Sequence, residues 1–200
     1  MINDINMTTT IPTQLIPYAP DKSDRPLHLY TALAPHITAT ASIIDIGCGI
    51  APLAGYIHDN HPGVRYTGFD SWAEAVVYAQ EQYPWAEIRQ LKWVIGSKVL
   101  LDRVCPCKFN IAIHIGIDSW LWADIYHIHE AMLKAKRGPD VVLLEAGERA
   151  GYPYLLQSLV KVRNVYRKAK YEMVDYGEFP FTAEGNRAPN RYYCVMRRGK

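Results

Sequence analysis

The stretch Ile43-Ile44-Asp45-Ile46-Gly47-Cys48-Gly49-Ile50-Ala51 places a glycine-rich turn directly after a short run of β-branched residues. Glycine lacks a Cβ, so such a turn lets backbone approach a ligand and lets the chain take positive φ. Asp70 follows 21 residues after Gly49, at the end of a second strand-like segment with Ser71 beside it. A carboxylate there can accept hydrogen bonds from both hydroxyls of a ribose, so turn and acid together describe a nucleoside-type ligand. A second cluster, His114-Ile115-Gly116-Ile117-Asp118-Ser119-Trp120-Leu121-Trp122, follows the most strand-like segment of the chain. An imidazole at His114 can take a proton near neutral pH, and Asp118 can orient or deprotonate a nucleophile. Each group also has a structural role open to it. The glycines suit any strand-to-helix turn, Asp70 and Asp118 suit helix caps, and His114 suits a hydrogen-bonded strand end.

The elements that must hold these residues follow from periodicity. Residues 1–25 mix Thr, Pro, Asn and Asp without a sustained period and read as a flexible arm; a single domain is expected over 26–200. A short helix is expected over Leu27–Ala34, a buried strand from Ser42, and a helix striped by Leu53 and Ile57 that stops at His61-Pro62-Gly63. Val64–Phe69 reads as a strand, with Asp70-Ser71 capping a helix over Trp72–Tyr83, and Ile88–Leu91 as a weaker strand. Lys92–Lys108 reads as irregular and carries the Cys105-Pro106-Cys107 turn. Beyond it come a strand over Phe109–Ile117, a helix over Ala123–Lys136, a strand over Val141–Leu144 and a basic amphipathic helix over Tyr154–Lys170. Strands over Tyr171–Tyr176 and Tyr192–Met196 close the chain. Alternating strands and helices, followed by two strands in succession, imply an α/β fold: a doubly wound, mostly parallel, Rossmann-like sheet with an antiparallel last strand.

On these residues the chain resembles the class I S-adenosylmethionine-dependent methyltransferases. Their first motif is an acid, any residue, Gly, any residue, Gly, and often a third Gly. Asp45, Gly47 and Gly49 match, and Ala51 stands at the third glycine. The resemblance covers about residues 42 to 198 and implies a seven-stranded sheet, S-adenosylmethionine as cofactor and S-adenosylhomocysteine as product. It implies that Gly47 and Gly49, with Cys48 between them, line the methionine portion, that Asp70 with Ser71 holds the ribose, and that the strand end at His114 offers backbone to the methionine amino group. Many members carry an acid just after the third strand. Lys92 stands there in this chain, with Trp93 beside it as a residue that can flank the base. A nicotinamide-binding fingerprint fits less well, because it wants glycine where Asp45 or Ile50 stands.

Several chemistries are disfavoured. Asn/Asp-Pro-Pro-Tyr, which base-amino methyltransferases carry after the fourth strand, is replaced by His-Ile-Gly-Ile. Cys105 and Cys107 precede that strand, where a cytosine-C5 nucleophile would follow it, and the fifth strand runs into Glu145 where ribose 2′-O enzymes carry Lys. No metal is expected: a metal site would need clustered carboxylates, nothing in the sequence groups Asp118, Glu145 and Glu148, and His127 and His129 lie two apart on a helix and so face differently.

The chain of 200 residues is 49% hydrophobic and 21% charged, with 22 Lys plus Arg against 20 Asp plus Glu. That composition suits one globular domain and marks no extended basic stripe, although Lys161, Arg163, Arg167, Lys168 and Lys170 make one helix basic. Four cysteines are too few and scattered for a disulfide framework, and neither a secretory signal nor a membrane-spanning run is visible, so a cytoplasmic protein without a membrane partner is expected. Aromatics Tyr18, Trp120, Trp122, Tyr152, Tyr154 and Phe181 in segments expected to border the site favour a small, partly apolar or aromatic acceptor. An RNA substrate met by the basic helix, and a non-catalytic subunit that keeps the fold as an interaction module, are the alternatives.

Overall fold

The fold was obtained as a computed structural model that describes residues 24–91, 109–116, 122–134, 138–147, 154–180 and 190–199. The elements in order are α1 (Arg25–Leu33), a 3-10 turn (Ala34–His36), β1 (Ser42–Ile46), α2 (Pro52–Asn60), β2 (Arg65–Asp70), α3 (Ala73–Gln82) and β3 (Glu87–Gln90). They continue with β4 (Ile111–Ile115), α4 (Trp122–Lys134), β5 (Val141–Gly147), α5 (Tyr154–Lys168), β6 (Tyr171–Pro180) and β7 (Asn190–Arg198). The seven strands form one sheet in the order β3-β2-β1-β4-β5-β7-β6. All pairs are parallel except those made by β7, which runs antiparallel between β5 and β6.

Strand β1 is buried at every position, as a central parallel strand covered on both faces must be. Its alternate residues feed two cores. Ile43 joins Ile111, Ile113, Leu143 and Val195 beneath α1, α2 and α3, whose Leu29, Leu33, Leu53, Ile57 and Val76 pack there. Ile44 and Ile46 join Ala112, Val142 and Leu144 beneath α4 and α5, represented by Ile128, Met132, Leu159, Val162 and Tyr166. The result is the expected doubly wound, mostly parallel seven-stranded sheet with an antiparallel last strand.

The boundaries differ from the expected ones where charge interrupts an apolar run. β5 continues past Leu144 to Gly147 and stays buried, because Glu145 finds partners inside the protein. β6 extends to Pro180, since its pairing with β7 persists to Pro180 and Asn190 although one edge faces solvent. α3 opens at Trp72 with no side-chain cap; Asp70 instead accepts the Trp72 amide hydrogen at 2.9 Å. Arg25, the last residue of the expected arm, begins α1 and is buried. The earlier part of that arm and the Cys-Pro-Cys turn lie outside the described residues. Cys48 and Cys194 are free, buried thiols, and no helix among the described residues is long and apolar enough to cross a membrane.

Strand order reverses between β1 and β4, which makes their carboxyl ends the topological switch point where open α/β sheets bind ligands. The glycine turn leaves β1 there and Gly116 leaves β4.

Candidate functional site

The turn after β1 is built from three residues in the left-handed region: Gly47 at φ 70°, Gly49 at φ 56° and Ala51 at φ 53°. Ala51 accepts this conformation without being glycine, at a cost of about 1–2 kcal/mol, and hands the chain to Pro52 at the first turn of α2. The amides of Gly47 and Cys48 both donate to the Phe69 carbonyl, at 2.7 and 2.9 Å, which pins the turn to the end of β2. A Cβ on Gly49 would meet nothing within 4 Å, so the space beside it is open to a ligand.

Asp70 closes the other side. Its Oδ2 accepts the Gly49 amide hydrogen at 2.7 Å and its Oδ1 accepts that of Trp72 at 2.9 Å. A carboxylate offers about four acceptor positions, so two backbone donors orient it and leave capacity for a diol. Ser71 is exposed and contributes its carbonyl to the Gln90 side chain at 3.1 Å. Cys48 is buried, its Sγ 3.7 Å from the Gly49 carbonyl.

Asp45 lies at the root of the turn and is buried. Its Oδ2 accepts the Tyr66 hydroxyl, while Oδ1 has no hydrogen-bond partner among the described residues. Burial, opposed by the Tyr66 bond, pushes this carboxyl up to about 7. An orphaned carboxyl oxygen beneath an open glycine turn, beside an oriented aspartate, is an acceptor set that fits a ribose with an ammonium-bearing tail.

Gly68 faces Asp45 across the β1–β2 pair, and a Cβ there would stand 2.9 Å from Cys48 Sγ and 3.2 Å from its Cβ. Gly68→Ala is therefore expected to lower stability by about 1–3 kcal/mol, as overpacking does. It should also weaken nucleoside binding by displacing the turn, with partial recovery in a Gly68→Ala/Cys48→Ala double variant. Urea unfolding of the parent chain and the two variants checks this, and equal losses in single and double variants would refute it.

His114 is level with Ile46 on the neighbouring strand, and its side chain is fully buried against α4. Its Nδ1 lies 3.0 Å from His129 Nε2, and His129 Nδ1 lies 2.8 Å from the Tyr166 hydroxyl. Burial holds His114 down at about 3 and His129 well below the ordinary value, and it keeps Tyr166 protonated. In one tautomeric arrangement Tyr166 donates to His129 Nδ1 and His129 Nε2–H donates to His114 Nδ1. His114 then carries its proton on Nε2. A ring sealed from solvent in this state does not take up a proton at neutral pH, so the geometry favours the structural role weighed for His114 over the general base. Asp118 and Trp93 lie outside the described residues.

The histidine pair has a pH signature. In the unfolded chain both rings protonate below about 6.5, whereas in the folded protein burial keeps His114 neutral to about 3 and holds His129 well below its ordinary value, so their stabilisation is complete above 6.5 and is lost as pH falls. Asp45 works the other way, because the folded state retains its proton up to about 7. Near pH 5.5 the unfolded state binds the two histidine protons and the folded state the one on Asp45. Stability should therefore fall by about 1.4 kcal/mol per pH unit on acidification. The slope should become clearly shallower in His129→Phe, with His114 and the lowered His36 still opposing Asp45, as urea midpoints between pH 7.5 and 5 would show. An unchanged slope would mean that these rings do not govern the acid limb.

At the end of β5, Glu145 is fully buried yet ionised. Its Oε2 accepts Arg25 Nη2 at 2.7 Å, Arg191 Nη2 at 3.0 Å and the Gly116 amide at 2.8 Å, and its Oε1 accepts Arg191 Nε. Burial alone raises its pKa, but the charges and hydrogen bonds of Arg25 and Arg191 outweigh burial and bring it to about 2. One carboxylate thus ties α1, the end of β4 and β7 together at the rim where the ligand cradle opens. No sequence signal marks this cluster, whose arginines lie 120 and 46 residues from Glu145. Among the described residues no group of three His, Cys, Asp or Glu side chains is disposed to hold a metal ion.

The fold is like that of solved S-adenosylmethionine-dependent methyltransferases, at low sequence identity. The methyltransferase domain of a bacterial Hen1 protein, CtHen1-C, superposes with a TM-score of 0.63 at 16% identity, covering 88% of this chain and 99% of that one. A TehB-like SAM-dependent methyltransferase from Corynebacterium glutamicum gives 0.57 at 15% identity, covering 86% and 87%. TrmK from M. capricolum, solved with S-adenosylhomocysteine, gives 0.55 at 12% identity, covering 88% and 68%. By sequence, trans-aconitate 2-methyltransferase from Paracidovorax citrulli is 34% identical over a 106-residue alignment that covers 42% of this chain and only 40% of that relative. No family model matches the chain.

Proposed function

We propose that the protein is an S-adenosylmethionine-dependent methyltransferase of the cytoplasm acting on a small, partly apolar or aromatic acceptor. The observation that carries the cofactor assignment is the Asp70 carboxylate, held by the Gly49 and Trp72 amides with acceptor capacity to spare at the switch point of the sheet. In this reading Asp70 holds the ribose hydroxyls, Gly47 and Gly49 give the methionine portion room beside the backbone, and Asp45 Oδ1 faces its polar end. The cofactor supplies a methyl group on a positively charged sulfur. The protein's part is to orient the acceptor in line with that group and to keep water out.

The test begins with calorimetric titration of S-adenosylhomocysteine and NADH. Binding of the first alone supports the assignment, and binding of NADH alone or of neither overturns it. Transfer of labelled methyl groups from S-adenosylmethionine is then measured on trans-aconitate and other small carboxylic acids and phenols, with bulk tRNA alongside. The tRNA arm is motivated by Lys161, Arg167, Lys168 and Lys170, all exposed around the end of α5. Label in tRNA with none in the small molecules would favour an RNA methyltransferase. Cofactor binding with no transfer to any acceptor would favour the non-catalytic module.

A further inference from the structure

A cavity of about 490 Å³ lies between α5 and the β6–β7 pair, within the size range of small-molecule sites. Among the described residues its walls are largely apolar and aromatic: Leu159 and Val160 from α5, Met173 and Tyr176 from β6, Tyr192 and Tyr193 from β7. Tyr176 is 71% exposed, and with Val160 and Met173, each 42% exposed, it gives the cavity an apolar mouth open to solvent. β7 stands three strands from β1, a separation of about 15 Å at the usual strand spacing, so the cavity is distinct from the Gly49–Asp70 cradle.

The polar group that decides the ligand is Arg163. It falls four residues after Leu159 and so lies on the flank of the α5 stripe formed by Leu159, Val162 and Tyr166, turned inward, whereas Lys161 and Arg167 are exposed. It lines the cavity, and its Nε is closed off from solvent with no hydrogen-bond partner among the described residues. A buried N–H left unpaired costs about 1–3 kcal/mol, and native proteins seldom leave one without a water or ligand to meet it. The Nε and Nη edge of a guanidinium is matched in shape by a carboxylate, which accepts from both nitrogens. Glu178 also lines the cavity but is exposed and forms no salt bridge with Arg163, so no ion pair among the described residues neutralises the guanidinium charge.

We propose that this cavity is a second binding site, for an aromatic carboxylate whose ring lies among Met173, Tyr176 and Tyr192 and whose carboxylate meets Arg163. Naphthalene-1-acetate is the probe, titrated into the full chain by calorimetry, with 2-(1-naphthyl)ethylamine as its cationic counterpart. Saturable binding of the acid is expected. Affinity should fall at least about tenfold in Arg163→Met, which keeps the apolar stem, and be lost in Val160→Trp, which fills the cavity. Thermal unfolding of both variants establishes that they remain folded. Saturating S-adenosylhomocysteine should leave binding of the probe unchanged. The proposal is overturned if the acid shows no saturable binding in the millimolar range, if Arg163→Met binds it as well as the parent chain, if the amine binds more tightly, or if S-adenosylhomocysteine displaces it.

Discussion

Replacing Asp70 by alanine should weaken S-adenosylhomocysteine binding by roughly 30- to 200-fold, the equivalent of about 2–3 kcal/mol for two hydrogen bonds from ribose hydroxyls to a charged acceptor. The same change removes the acceptor of the Gly49 and Trp72 amides, so a smaller stability loss of about 1–2 kcal/mol accompanies it. Asp70→Asn separates the two effects. Its single carbonyl oxygen can receive only one of the two backbone amides, and its NH₂ can accept neither the other amide nor a ribose hydroxyl, so affinity should remain well below that of the parent chain while only part of the stability is restored. Calorimetric titration and thermal unfolding of both variants provide the comparison. If either variant binds S-adenosylhomocysteine as tightly as the parent, Asp70 is only a brace for the turn.

Glu145→Ala is expected to have the largest effect on stability. Removing this carboxylate leaves the Arg25 and Arg191 guanidinium groups and the Gly116 amide facing one another in a site from which water is excluded. Breaking a buried ion cluster on one side costs about 3–5 kcal/mol, which for a chain of this size lowers the melting temperature by about 10 °C or more. The loss should depend on pH. The folded-state pKa of Glu145 is depressed to about 2, so its stabilisation is complete above the ordinary carboxylate value near 4.5 and disappears as pH falls toward 2. Parent and variant should therefore differ fully at pH 7 and converge in acid. A difference in melting temperature of only a degree or two at pH 7 would mean that solvent reaches the arginines and the cluster contributes little. Because Gly116 ends β4, the variant should also bind S-adenosylhomocysteine less tightly even at temperatures where it is fully folded.

The two variants probe residues that differed in how far they could be read before the fold was known. Asp45, Gly47, Gly49 and Asp70 stood out because their roles depend on neighbours along the chain: a strand end, positive φ angles, and a carboxylate placed after the next strand. Such requirements are written in local spacing, and Ser42–Ile46 and Arg65–Asp70 are strands because short β-branched and aromatic runs with turn residues around them have few other ways to be buried. The alternation of elements likewise carried the doubly wound sheet, since parallel neighbours need helical crossovers.

The clusters around Glu145 and His114 were not legible in this way. Glu145 reads in sequence as a charge that should end a strand, and His129 as one of two histidines on different faces of a helix. What converts them is register. β7 inserts between β5 and β6 and sets Arg191 within reach of Glu145, α1 carries Arg25 to the same carboxylate, and α4 and α5 bring His129 and Tyr166 over His114. The sequence by itself determined the sheet, the glycine turn and the acid that faces it, because these follow from backbone conformation and burial over a few residues. Tertiary structure alone decided which buried charges are neutralised and which rings stay neutral, because those energies depend on groups that meet only after long loops have closed.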